Sequence, residues 1–116
     1  MDQEALLKKE EEITTSYQDF LDTVREAFNK HCDQIKDEAQ KKIDALPEED
    51  EEGRERVLEE QKEQLDQTLS ELRQLLARKE AEVRAQLEAI ARQQEEEEFV
   101  FEEELAEVED STKSST

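Results

Sequence analysis

The chain has few of the residues that turns, disulfide bonds and thiolate metal sites require. Its 116 residues include one Gly, one Pro, one Cys, one His and no Trp. Because hairpins between strands depend on Gly, Pro and similar turn residues, a sheet of several strands is excluded. A single cysteine excludes an internal disulfide bond and a zinc site built from several thiolates.

Long apolar stretches are missing as well. There is no run of apolar residues long enough for a transmembrane helix, so we expect no membrane insertion. The first residues, MDQEALLKKEEE, are too acidic for a signal peptide, and one thiol suits a reducing compartment. We therefore expect a cytoplasmic protein.

Acidic residues dominate the charge. There are 36 acids and 16 bases, which gives a formal net charge of -20. This charge repels nucleic-acid phosphate and anionic lipid, so we expect neither as a partner. The excess is concentrated in residues 47–53, with a net charge of -5, and residues 95–116, with -9. The remaining segments mix both signs, as solvated helix faces do.

The composition favours helices, because Glu, Gln, Leu, Ala, Lys and Arg are abundant. Asp2 is the predicted N-cap of the first helix, and Pro47 disfavours helix at the residue before it. Either Pro47 opens the second helix, or that helix begins near Arg54. The predicted order is a first long helix over 1–46, an acidic turn over 47–53, a second long helix over 54–98 and a partly disordered acidic tail over 99–116.

Apolar residues of the first helix recur every 11 positions, close to the natural helical period. They form three rows: Ile13, Val24, Ile35 and Leu46; Leu6, Tyr17, Phe28 and Ala39; and Leu21, Cys32 and Ile43. The second helix repeats this less cleanly, with rows of Leu65, Leu76 and Leu87; Leu58 and Leu69, followed by Glu80; and Leu72 and Val83, flanked by Gln61 and Gln94.

These patterns predict an all-α fold, a long antiparallel helical hairpin of coiled-coil type with an 11-residue repeat. The competing arrangement is one helix kinked at Pro47 and paired in parallel with a second copy. A two-helix core is thin, so we expect a homo-oligomer, either a dimer or a four-helix bundle, or a complex with another helical protein. The predicted interface consists of Ile13, Tyr17, Val24, Phe28, Ile35, Leu65, Leu69, Leu72, Leu76, Val83 and Leu87.

The acidic tail contains a second candidate binding element. Residues 95–110 read EEEEFVFEEELAEVED, with apolar residues at helical spacing: Phe99, Val100, Phe101, Leu105 and Val108. One interpretation is a motif that folds on docking into a basic-rimmed groove of a protein partner. The other is that the second helix continues and these residues pack on their own bundle.

Residues that could support catalysis are isolated. Cys32 lies in an apolar row, where a cysteine behaves as a small hydrophobe. His31 is adjacent in sequence, but neighbouring helical side chains point about 100° apart, so a Cys-His nucleophile pair is not expected. No phosphate-binding, nucleophile-elbow or calcium-loop motif occurs. We therefore expect no enzyme activity, no metal and no cofactor.

The straight 11-residue repeats in this acidic, Ala/Glu/Leu-rich chain resemble the helices of rotary-ATPase peripheral-stalk subunits. The similarity is one of pattern over the helical part, and Pro47 interrupts helices that are unbroken in that family. The leading hypothesis is a helical scaffold that presents an acidic docking tail. The alternative is a small chaperone or adaptor that covers an apolar helix of a client, which includes a stalk-like subunit of a larger complex.

Overall fold

A computed structural model describes the backbone of residues 2–114 and the side chains of residues 2–97. It contains α1 (Gln3–Asp44) and α2 (Glu51–Ser114), and no strand within the described residues. The predicted all-α antiparallel hairpin is confirmed. Neither helix, over the part of the chain that the structure describes, has an apolar stretch suited to crossing a bilayer.

The start of α1 is set by Asp2. Its carboxylate oxygen Oδ1 accepts a hydrogen bond from the Glu4 N–H at 3.4 Å, and its carbonyl accepts the first helical bond, from the Leu6 N–H at 3.1 Å. This is N-cap geometry, as the sequence predicts, and it satisfies donors that lack a partner in the first turn. Glu4 in that turn and two lysines in the last turn, Lys41 and Lys42, complement the helix dipole.

The break between the helices is residues 45–50. The Leu46 N–H bonds to the Ile43 carbonyl at 3.0 Å, so α1 tightens as it ends, and the Asp50 N–H bonds to the Pro47 carbonyl at 3.1 Å. Pro47 therefore lies within the turn and does not open α2, whose first residue is Glu51. The second helix also begins before Arg54, so the structure follows neither of the two starts considered from the sequence.

Asp50 caps α2. Its Oδ1 accepts a hydrogen bond from the Gly53 N–H at 2.9 Å, and its carbonyl accepts one from the Arg54 N–H at 3.2 Å. A β-carbon added at Gly53 would contact the Asp50 carboxylate. The single glycine thus lies where the capping carboxylate folds back over the first turn, and Glu51 and Glu52 add negative charge at the same helix end.

The chain divides into two compact units, each containing part of both helices. The turn unit is Gln18–Glu80, and the terminal unit joins Met1–Tyr17 to Ala81–Thr116. Among the described side chains, the buried apolar residues are Ile35 and Ala39 in the turn unit and Leu6, Val83 and Ile90 in the terminal unit. Each unit therefore has a small core.

The side chains of α1 follow the predicted 11-residue repeat. From Ile13 to Leu46 every member of the three rows is buried or half-buried, and so is Leu6, whereas Glu10 is exposed. Phe20 is the one additional half-buried residue of α1. The spacing of apolar residues thus predicts which face of α1 is covered.

Candidate partner-binding site

The predicted interface residues line the seam between α1 and α2, where most of them stay partly accessible. Ile35 and Val83 are buried. The half-buried members are Ile13, Tyr17, Val24, Phe28, Leu65, Leu69, Leu72, Leu76 and Leu87. These residues therefore keep apolar surface that two helices do not cover.

One row of α2 differs from the sequence prediction. Leu58 is 48% exposed and Glu80 is exposed, so of the row through Leu58, Leu69 and Glu80 only Leu69 borders the seam. The structure instead covers a row one position earlier, with two polar members: Val57, Thr68, Lys79 and Ile90. The further apolar residues of α2 do not widen this face, because the alanines from Ala77 to Ala91 are exposed and Leu75 is 40% exposed, whereas Ile90 is buried.

Lys79 and Thr68 fit the seam because each can satisfy its polar group there. Lys79 is half-buried, and its ammonium lies 5.1 Å from the centre of the Phe20 ring, within the range of a cation–π interaction. The Thr68 hydroxyl donates to the Gln64 carbonyl at 2.8 Å, so no donor is left unpaired. A search for apolar rows overlooks both residues.

In the turn unit, the seam between α1 and α2 has solvent on two sides. Residue spacing along each helix shows on which of these sides a residue lies. Residues three and four positions after a central seam residue lie on opposite sides of it. After Phe28 these are His31 and Cys32, and we name the two sides after them. Two contacts between the helices and a groove lined by both lie on the His31 side, and they identify which side of α2 faces the same way.

The His31 side is polar. The Lys42 Nζ lies 3.8 Å from Glu60 Oε2, and Lys79 covers Phe20. Between these pairs a shallow groove is lined by His31, Ile35, Glu38, Gln64, Gln67, Thr68 and Glu71. In two antiparallel helices the numbers of facing residues have a nearly constant sum. The sum is 102 for Lys42 with Glu60 and 99 for Lys79 with Phe20, and this sets the register of α1 against α2 in the turn unit.

The Cys32 side is apolar. From α1 it has the row Leu21, Cys32 and Ile43, all half-buried. From α2 it has half-buried Leu65, Leu69 and Leu76 and the largely exposed Leu58. These seven residues form a continuous apolar floor along the turn unit.

Basic residues flank this floor on both helices. Arg25 and Lys36 precede central α1 residues by three positions, and Lys62 and Arg73 follow Leu58 and Leu69 by four, so all four lie at the edges of the Cys32 side. All four are exposed. Four bases therefore border the apolar floor of a chain whose net charge is -20. Acids lie one step further out, since Asp22 and Asp33 precede Arg25 and Lys36 by three positions and Asp66 follows Lys62 by four.

The predicted docking motif of the tail lies outside the described side chains. The backbone of α2 continues through it to Ser114, which agrees with the continuing-helix interpretation. What Phe99, Val100, Phe101, Leu105 and Val108 contact stays untested. The motif remains a prediction from the sequence.

Chemistry-bearing residues do not converge among residues 2–97. No group of three His, Cys, Asp or Glu side chains in this range could hold a metal ion. Cys32 is a free, half-buried thiol on the apolar side, and His31 is exposed on the polar side. Comparison with family models, curated proteins and solved structures finds no match to this chain.

Proposed function

We propose that the chain is a non-enzymatic, cytoplasmic helical scaffold that self-associates or pairs with a helical partner. In this proposal its acidic tail is a second docking element. The observation that carries the proposal is the thin core of the turn unit, where only Ile35 and Ala39 of the three apolar rows are buried.

The energetics favour a further layer of helix. Complete burial of a leucine side chain contributes about 1.5–3 kcal/mol, so covering Leu58, which is 48% exposed, is worth about 1 kcal/mol. The remaining half-buried residues of the floor contribute smaller amounts each. Because small helical units lack a large core, association is the stabilising device that their composition leaves available.

The test is sedimentation equilibrium of the full chain over a wide range of protein concentration, paired with urea unfolding at each concentration. Self-association predicts a mass that rises towards a multiple of 13.6 kDa and an unfolding midpoint that rises with concentration. A monomeric mass and a constant midpoint at all concentrations would contradict self-association.

A small chaperone or adaptor is the second candidate, favoured by the apolar floor around Leu58. Such a protein stays monomeric alone and covers an apolar helix of its client. The two candidates differ in that the scaffold binds its own copy, whereas the adaptor binds only the client. A monomeric chain that gains helical circular dichroism on adding an apolar amphipathic peptide would support the adaptor.

A further inference from the structure

We infer that the Cys32 side of the turn unit is a docking groove for the acidic segment 95–110 of a second copy of this chain. The inference rests on the proposed function, since it names the partner and the surface for self-association. It is carried by the apolar floor, the basic rim and the composition of the segment.

The groove requires a ligand that is both apolar and acidic. Its floor is leucine-rich, and its rim has two bases from each helix: Arg25 and Lys36 on α1, and Lys62 and Arg73 on α2. Two such grooves placed face to face would oppose basic rims, which is unfavourable. A polyanion without apolar side chains would leave Leu58 and its neighbours uncovered.

Segment 95–110 has both properties. It contains ten acids and no base, and its apolar residues Phe101, Leu105 and Val108 are spaced at four and seven positions, as on one face of a helix. Sixteen helical residues extend about 24 Å, and the floor from Leu21 to Ile43 extends about 33 Å, so the segment fits within the groove.

Docking between copies gives a closed assembly. If the segment of each copy occupies the groove of the other, the two contacts are equivalent and a symmetric dimer results. Complementary charge then accelerates and directs association, although the net charge of each copy is -20. This arrangement explains why a strongly acidic chain keeps four exposed bases around its apolar side.

The principal experiment reverses charge on the rim. The variant Lys36→Glu/Arg73→Glu is compared by sedimentation equilibrium with Lys30→Glu/Arg56→Glu, which makes the same change in net charge at exposed positions away from the seam. The rim variant should raise the dimer dissociation constant about tenfold or more, and the control less than twofold. Added salt should weaken wild-type association and affect the rim variant less.

Rescue tests the pairing directly. The tail variant Glu102→Lys/Glu103→Lys/Glu104→Lys should also self-associate weakly. Mixed with the rim variant, it should form a heterodimer, because its three new lysines face the two new glutamates of the rim while the unchanged segment of the rim variant meets an unchanged rim. The control variant mixed with the tail variant should not.

Cys32 provides a readout that needs no substitution. It is half-buried on the groove floor and is the single thiol of the chain, so alkylation reports on the groove alone. Docking predicts that its alkylation rate falls as protein concentration increases, and that a large molar excess of a synthetic 95–110 peptide slows it at low protein concentration.

The outcomes separate this inference from the function on which it rests. A chain that dimerises equally well with either pair of reversals, and whose Cys32 reacts at a constant rate, associates elsewhere, which overturns the docking inference and leaves the scaffold proposal standing. A chain that is monomeric at every concentration overturns both the docking inference and the self-associating form of the scaffold. The inference is supported if the rim variant dimerises more weakly than the control variant and if the mixture of rim and tail variants forms a heterodimer.

Discussion

The cap of α2 provides a quantitative test of the turn. Asp50 accepts a hydrogen bond from the Gly53 N–H at 2.9 Å, and a β-carbon at Gly53 would contact the same carboxylate. The two residues should therefore be coupled in stability. The perturbation is a double-mutant cycle of Asp50→Ala, Gly53→Ala and the combined variant.

The expected magnitudes follow from the geometry. Asp50→Ala removes the cap and should cost about 1 kcal/mol, within a range of about 0.5–2 kcal/mol. In that background Gly53→Ala should stabilise by about 0.8–1 kcal/mol, because alanine is the better helix former and no carboxylate is in its way. In the wild type the new β-carbon displaces the capping carboxylate, so the same change should be close to neutral. The coupling free energy is therefore about 1 kcal/mol.

The assay is urea unfolding followed by circular dichroism, with all four proteins at one concentration so that association contributes equally. Asp50→Asn is the matched control, because asparagine caps nearly as well as aspartate and should cost little. If Gly53→Ala stabilises the wild type by as much as it stabilises the Asp50→Ala variant, the two residues are independent and the capping argument is wrong.

Three further predictions concern the seam of the turn unit, each measured by urea unfolding. Ile35→Ala should cost about 2–4 kcal/mol because Ile35 is buried, whereas Leu75→Ala should cost less than half as much because Leu75 is 40% exposed; equal losses would contradict the assigned burial. Lys42→Ala should change stability by about 0.5 kcal/mol or less, since the ion pair with Glu60 is long at 3.8 Å and both side chains are more than half exposed. Thr68→Leu should stabilise by about 0.5–1 kcal/mol, because leucine favours helix and adds apolar surface at a half-buried position; a loss would mean that the seam has no room there.

Much of α1 could be predicted from the sequence because one physical signal is strong there. Its apolar residues recur at successive spacings of four, four and three positions, and this pattern identifies the covered face from Ile13 to Leu46. Asp2 at the helix start and Pro47 beyond its end are residues with defined local preferences. The register between helices, by contrast, depends on contacts such as Lys79 with Phe20, which single-helix patterns do not encode.

The third row of α2 shows why apolar content alone fails. Leu65, Leu72 and Leu76 fix the centre of the face, but the neighbouring row could be one with Leu58 or one with Val57. Counting apolar residues favours the leucine row. The structure covers the other row because lysine and threonine can bury aliphatic atoms while their polar groups find partners. The same repeat continued from Leu65 by three, four and four positions leads to Thr68, Leu72 and Leu76, and a further three to Lys79, which identifies the correct row.

The difference between the two sides of the turn unit follows from the sequence and the structure together. The sequence predicts an acidic motif that docks into a basic-rimmed groove. The structure shows which residues of α1 and α2 lie on the same side of the turn unit. His31 and Cys32 are adjacent in the sequence, yet they mark a polar side and an apolar side. Only the contacts between α1 and α2 establish that Arg25 and Lys36 on one helix flank the same floor as Lys62 and Arg73 on the other.

The two acidic regions of the chain differ in their position along α2 and therefore in how the helix stabilises their charge. Acids at residues 47–53 precede or begin α2, where the helix dipole and the free N–H groups of the first turn favour negative charge, and Asp50 is itself the cap. Residues 95–110 lie in the C-terminal part of the same helix, far from the end where the helix dipole favours negative charge. Their glutamates recur at spacings of three and four positions, and each like-charge pair of this kind costs about 0.2–0.5 kcal/mol. The segment contains no base. In the proposed dimer the Arg/Lys rim of a second copy lies next to these glutamates and lowers their mutual repulsion.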